Sequence, residues 1–268
     1  MSFLKNIFVL IKQVPDQGSK AGVNLDGTID RAKARRMLNP FDRYALQAAL
    51  DAKKNYGGQI TAITMGPPLA IEILFEALEH GVDNTILLSD RSLAGSDTWA
   101  TSYALKKTIN YLGEFDLIFC GLQTTDGDTA QVGSQIAERL NIPQITYCED
   151  FKIENEKIIA RRVIEGGHQT LKAPLPCLIT VANSYKALKY KTIHGAKLVQ
   201  DIMREEEKKN KYIKILNIND IKANPDFLGI KGSPTIVSKT EKISEISGNC
   251  KILKGSKELS LELKEILK

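Results

Sequence analysis

Asp116-Leu-Ile-Phe-Cys-Gly-Leu-Gln-Thr-Thr-Asp-Gly-Asp-Thr-Ala-Gln-Val-Gly-Ser-Gln135 decides the fold. Its first five residues are an apolar run of strand length, and Ile136-Ala-Glu-Arg-Leu140, which follows, has helical spacing. The stretch between is a strand-to-helix turn. Such a turn brings free backbone N–H groups and the positive end of a helix dipole to one point, which suits a phosphate or pyrophosphate. Gly127 permits positive φ or close approach to a ligand, and Thr129 stands where an N-cap is expected. Gly-Asp-Thr is also ordinary capping chemistry. However, Asp126 and Asp128, together with threonines, glutamines and three glycines in one turn, exceed what a cap requires, and that density points to a ligand.

Outside this stretch the chain is ordinary. Its 268 residues, 43% of them hydrophobic, suffice for a large core. Lys and Arg exceed Asp and Glu by 37 to 32, and a surplus of the same size lies between Lys186 and Lys214, where nine basic residues face four acidic ones. The remainder is neutral, which argues against a nucleic-acid stripe and for one basic, exposed segment. Cys120, Cys148, Cys177 and Cys250 show no CxxC spacing, and three of them fall in apolar runs, so buried free thiols are expected. His80, His168 and His194 are isolated, so no metal site is expected. No apolar run approaches the ~20 residues of a membrane span, and a cytoplasmic protein without membrane contact is expected.

Taken in order, strand and helix alternate. Asn6–Lys12 is a short apolar strand, and Pro15 forbids its continuation as a central one. Asp26-Gly27 within Val23–Ile29 signals a hairpin. Asn39 in N-cap position and Pro40 at N1 open a helix to about Lys54. Gln59–Met65 is the next strand, followed by an amphipathic helix over Leu69–His80 with Gly81 as C-cap. Thr85–Leu88 is a third strand, Ser96 or Asp97 caps a helix to about Leu112, and Leu117–Cys120 is the fourth. Buried, non-alternating strands in repeated βα units predict a Rossmann-like α/β fold, a parallel sheet with helices on both faces. Ligands of such folds bind outside the carboxyl ends of the strands. That edge gathers Lys12 after strand one, Thr64, Met65 and Gly66 after strand two, Asp97 and Thr98 after strand three, and Gly121 to Gln135 after strand four. Asn39 begins its helix nearby. One pocket there has the make-up of a nucleotide site.

The motifs Val9-Leu-Ile-Lys-Gln-Val-Pro-Asp16, Asn39-Pro-Phe-Asp42, Thr64-Met-Gly-Pro67, Ser96-Asp97-Thr98 and Asp126-Gly-Asp-Thr-Ala-Gln-Val-Gly133 carry a family resemblance. To about Lys214 the chain resembles the β subunit of electron-transfer flavoproteins, and the last motif resembles their electron-bifurcating branch. The resemblance implies an FAD in this subunit. It places adenine and ribose near Leu10, Asn39, Asp42 and Met65, and the diphosphate on Asp128, Thr129, Ala130, Gln131 and Val132. Thr64, Asp97, Gln123, Thr124 and Asp126 would face the ribityl chain or flavin ring. It further implies hydride transfer from NADH and division of the electrons. One would go to ferredoxin or flavodoxin, the other through the FAD of a partner α subunit to a flavin-dependent dehydrogenase of acyl-CoA or lactate type. The alternative within the family is a non-bifurcating β subunit that holds structural AMP and serves as a docking scaffold. An unrelated ATP-using α/β hydrolase is disfavoured, since no GxxxxGK[ST] loop is present.

The second half departs from the βα pattern. Phe151–Ile164 reads as a hairpin turning at Glu154–Lys157, Glu165–His168 is a second turn, and Pro176–Ala182 is a buried strand; by resemblance this is a β-rich insert. Ala187–Gly195 stands where the family's dehydrogenase-contacting signature lies, with Lys189 in place of the usual Arg and no proline. The basic segment through Lys209 is expected as an exposed helix and Tyr212–Ile218 as a last strand. Domain boundaries of 1–214 and 215–268 follow, the latter a linker-like C-terminal arm ending in an amphipathic helix over Ser256–Lys268. That helix is too short to be stable alone. By resemblance the arm would wrap the α subunit.

Overall fold

In the computed structural model, which describes residues 3–16, 22–23, 29–30, 35–236 and 252–266, β1 (Asn6–Leu10) is buried at every position after Asn6. It takes an interior place in a nine-stranded sheet. From β1 the chain runs through β2 (Gln13–Pro15), β3 (Gly22–Val23), β4 (Ile29–Asp30) and β5 (Arg36–Leu38) into α1 (Pro40–Tyr56). β2 pairs only with β5 and β3 only with β4, so Pro15 indeed sits outside the main sheet. The Asp26-Gly27 turn lies outside the described residues. Next come β6 (Gln59–Met65), α2 (Ile71–His80), β7 (Asn84–Leu88), α3 (Thr98–Leu112), β8 (Leu117–Gly121) and α4 (Val132–Leu140). The order then changes character: β9 (Gln144–Glu154), β10 (Lys157–Ile164), β11 (Gly167–Pro174) and β12 (Cys177–Val181) precede α5 (Ile193–Arg204), α6 (Glu206–Tyr212) and β13 (Ile213–Leu216).

Across the sheet the order is β11-β10-β9-β12-β8-β1-β6-β7-β13. All neighbours from β9 to β13 pair in parallel, while β10 is antiparallel to β9 and to β11. The chain leaves β1 toward β6 and β7, then returns to lay β8 on the other side of β1. The sheet reverses direction of growth there, so the carboxyl ends of β1 and β8 stand at a topological switch point, where sheets of this kind form their ligand crevice.

Two cores flank the sheet. On one side Ala45, Ala48, Ala49 and Ala52 of α1 pack with residues of α2 and α5, among them Leu74, Leu78, Val199 and Ile202. The alanine face lets α1 lie close over β8 and β1. On the other, Ala104, Leu105 and Ile109 of α3 meet Ile136 and Ala137 of α4 together with Leu216, Ile221 and Leu228. The expected α/β architecture with helices on both faces is therefore present, as are the hairpin turns and the αL glycine at Gly81 (φ 106°) that ends α2.

Several expectations are corrected. The stretch after Lys214 is not a linker: Ile221 and Leu228 are buried, Phe227 packs on Tyr103, and the first compact unit extends to Ile236. The basic segment is two helices broken at Glu205, whose extended φ of −126° no helix continues through. Val237–Lys268 forms the second unit, in which α7 (Ser256–Ile266) exposes Leu259, Leu261 and Leu263. Cys120, Cys148 and Cys177 are buried and free, and Cys250 lies outside the described residues. Among the described residues no helix is long and apolar enough to cross a membrane, and no His/Cys/Asp/Glu group is arranged to hold a metal.

Candidate functional site

The crevice is built around the N-terminus of α1. Asn39 occupies the N-cap position, yet its side chain does not cap. Fully buried, it donates from Nδ2 to the Gln123 carbonyl at 2.8 Å and accepts at Oδ1 from the Thr125 N–H at 3.3 Å. It ties the loop after β8 to α1. Asp42 performs the same service one turn on, accepting from the Lys12 N–H at 2.7 Å and the Gly121 N–H at 3.2 Å. These bonds join the carboxyl ends of β1 and β8. Burial pushes the Asp42 carboxyl up to about 7, against the N–H donors and the Lys12 charge that hold it down.

The two strands and the helix meet only because Gly121 lacks a side chain. A Cβ there would lie 2.3 Å from Asp42 Oδ1 and 2.7 Å from the Phe41 carbonyl carbon. Gly133, in the first turn of α4, is needed in the same way, since a Cβ would come within 2.7 Å of Cys120 Sγ and 2.9 Å of Thr180 Cγ2. It seats the helix start hard against β8 and β12. Both were expected at the ligand; both act first as close-packing positions.

The loop itself differs from expectation at two points. Gly127 is not in the positive-φ region; Asp128 (φ 51°) and Ala130 (φ 54°) are. An alanine there costs on the order of 1 kcal/mol, and such strain tends to collect at functional sites. Nor does Thr129 cap, because α4 begins at Val132 with Gln131 before it and no side-chain cap. The first-turn N–H groups of α4 are consequently left for something other than a capping side chain. A Cβ on Gly127 would meet only Thr124 Oγ1 at 3.4 Å. Gly127→Ala should therefore change stability by no more than about 0.5 kcal/mol, as a urea midpoint will register.

Side chains then close the rim. Lys12 Nζ reaches both Asp126 oxygens at 2.8 Å. Partial burial pushes Asp126 up, and Lys12, the Thr124 hydroxyl and a backbone N–H more than offset it, so the carboxyl lies below its ordinary value. Gln123 donates to Asp128, and the Asp128 N–H to the Thr124 carbonyl. Opposite, Thr98 donates to Gln131 at 3.1 Å and accepts from Gln135 at 3.2 Å, joining the starts of α3 and α4. Asp97 caps α3 through the Ala100 N–H at 3.0 Å. Burial raises its carboxyl too, but the bonds from Ala100, Thr235 and Trp99 prevail and it also lies low.

Leu10, at the end of β1, is buried in the second core, with Met65 partly buried against it. Thr64, Met65 and Gly66 are placed at the edge by strand register alone, with the Gly66 N–H on the Leu88 carbonyl. Thr64 Oγ1 and Gln135 Oε1 are buried without a partner. Two orphan oxygens on the rim, free N–H groups at α4 and one cation fit a polar, anionic ligand of nucleotide type. Cys120 is excluded from thiol chemistry, since burial and the nearby Asp42 raise its thiol far above the range in which a thiolate forms.

Sequence reasoning missed Ser233, Thr235 and Arg139. Arg139 stacks on Trp99 at 4.0 Å and donates to Ser102 Oγ and the Trp99 carbonyl, bracing α4 on α3. The first two come from a stretch whose composition reads as linker.

The profile of the electron transfer flavoprotein domain matches residues 26–209. The chain is 41% identical over 252 residues to the electron transfer flavoprotein subunit beta of Thermoanaerobacterium thermosaccharolyticum, covering 92% of this chain and 94% of that one. It is 43% identical over 242 residues to the acryloyl-CoA reductase electron transfer subunit gamma of Anaerotignum propionicum, 87% of each chain. It is also 43% identical over 235 residues to the caffeyl-CoA reductase-Etf complex subunit CarD of Acetobacterium woodii, 87% of this chain and 86% of that one.

Proposed function

Because the chain belongs to the electron transfer flavoprotein family, as a subunit of the β type, we propose that it holds a complete FAD, receives hydride from NADH on it, and serves electron bifurcation. The acceptors are ferredoxin or flavodoxin on one side and, through the FAD of an α subunit, a flavin-dependent dehydrogenase on the other. Two relatives are named for reductases of CoA esters, which favours an acyl-CoA over a lactate-type dehydrogenase. FAD supplies the redox chemistry when bound, and the protein supplies position and electrostatics.

The observation that carries the reading is the loop from Gly121 to Gln135, in which strained backbone at Asp128 and Ala130 precedes an uncapped helix start. The N–H groups at Val132, Gly133 and Ser134 would receive the diphosphate, which a helix N-terminus favours by roughly 0.3–1 kcal/mol per charge at an exposed site. Lys12, bound to Asp126, offsets one of the two carboxylates of that loop, and Asp128 is met by the Gln123 amide. Leu10 and Met65 would supply apolar contact to the adenosine. Thr64 Oγ1 and Gln135 Oε1 are the side-chain oxygens with unspent hydrogen-bonding capacity for the remainder of the cofactor. Asn39 and Asp42 do not reach outward; they hold the two strand ends that frame the crevice. The exposed leucines of α7 would be covered by the α subunit.

Nucleotides released by acid from the co-expressed heterodimer and separated by chromatography test this. Two FAD per heterodimer, no AMP, and bleaching of flavin by NADH under anaerobic conditions are expected. One FAD with one AMP, and no response to NADH, would make the subunit a docking scaffold instead.

A further inference from the structure

The last stretch of the first compact unit, Phe227 to Ile236, lies against the loop that leads into α3. The fit on that loop is too close for side chains at Gly95 and Gly229, and the segment folds as tightly on itself at Gly232. A Cβ on Gly95 would meet Ile230 Cγ1 at 2.4 Å, one on Gly229 the Ser92 carbonyl at 2.3 Å, and one on Gly232 the Phe227 carbonyl carbon at 2.1 Å. Hydrogen bonds follow the same line. The Gly229 N–H donates to Ser96 Oγ at 3.1 Å, and the Asp97 N–H donates to Ser233 Oγ at 2.9 Å. Thr235 donates twice to Asp97 Oδ2, from its N–H at 3.0 Å and its hydroxyl at 2.7 Å. Asp97 is left with its other oxygen on the Ala100 N–H, so one carboxylate is shared between the cap of α3 and this segment. The next residue, Thr98, holds both Gln131 and Gln135 of the α4 side.

We propose that Ser233 and Thr235 are positioning residues for the nucleotide site, forming a strap that sets the Asp97–Thr98 corner and through it the start of α4. The proposal rests on the reading that a nucleotide occupies the carboxyl edge of the sheet. If the strap fixes that corner in the geometry the ligand requires, then seating of the strap and occupancy of the site are coupled, and the coupling is reciprocal. Ligand must tighten the strap by the factor by which the strap tightens ligand. The bonds to Asp97 are charge-assisted and solvent reaches Thr235, so they are strong enough to matter and accessible enough to break.

Hydrogen exchange read by mass spectrometry on the heterodimer, stripped of nucleotide and then given FAD or AMP in separate titrations, tests the idea. Ligand is expected to slow exchange in peptides covering 121–135, 97–103 and 228–236 together. Thr235→Val, which keeps the N–H but loses the hydroxyl donor, should weaken the bound nucleotide about fivefold or more and abolish its protection of 228–236. Thr235→Ser should restore both, a rescue that a merely structural threonine methyl would not permit. Protection of 121–135 without any change at 228–236, or wild-type affinity in Thr235→Val, overturns the strap and leaves the site standing. No protection of 121–135 by either nucleotide removes the site reading and the strap with it. Protection by AMP but not FAD supports the strap while overturning the cofactor assignment above.

Discussion

Gly121→Ala should cost the heterodimer roughly 3 kcal/mol or more and release the bound nucleotide. The new methyl carbon would stand 2.3 Å from Asp42 Oδ1 and 2.8 Å from the Asp42 nitrogen, and two of the three atoms it meets are backbone, which no rotamer change can move. Relief requires that β8 or the first turn of α1 shift. Either movement stretches the Gly121 N–H to Asp42 bond and carries away the Gln123 carbonyl that Asn39 holds. Denaturant melts of the variant beside Gly127→Ala, six residues on in the same loop, measure the contrast. Equal midpoints for the two would show that the strand and helix are not locked at Gly121.

The second large effect is one of pH. Asp42 is raised by burial from an ordinary 3.8 to about 7. A carboxyl that holds its proton more tightly when folded contributes stability that is complete below pH 3.8 and is lost as pH climbs through 7. Between those values the unfolded chain gives up the proton and the folded one keeps it. The loss is on the order of 1.4 kcal/mol per pH unit. The amide introduced by Asp42→Asn would not titrate. It offers one acceptor oxygen to two backbone N–H groups, so the variant should be the less stable protein at pH 4, by about 1–3 kcal/mol. The gap should then narrow or reverse toward pH 7. Melts of both proteins across that range give the difference directly, and a gap independent of pH would mean that Asp42 is ionised in the folded state throughout.

Much of this was legible in the sequence because it is local. Ile7–Leu10, Ile60–Thr64 and Leu117–Cys120 are unbroken or nearly unbroken buried runs, and such runs separated by helical spacing leave little choice but a covered parallel sheet. The Asp97 cap and the Gly81 terminus are read within four residues of themselves. What escaped depends on distant partners. Asn39 looks like a cap because its near neighbours are Pro40 and a helix, whereas the atoms it satisfies belong to Gln123 and Thr125. Gly127 looks like the residue that bends the loop, but the loop takes its left-handed turns at Asp128 and Ala130, where only the fixed ends on either side demand them. The strap was hidden for the same reason that it works: Gly229, Gly232 and Ser233 suggest a loose linker until the backbone that they approach is known.

The position of β12 carries a consequence for how the chain is made. β9, β10 and β11 leave the ribosome before it, complete at Pro174, but among the described residues β9 is hydrogen-bonded into the main sheet through Cys177–Val181, which must slide in between β8 and β9. Until those five residues emerge, a nascent chain carries a detached three-stranded ribbon and an unpaired β8 edge, both open to wrong partners. A chain truncated after Pro174 should therefore aggregate where one extended through β12 does not, and chaperones would be most needed during that short interval of synthesis.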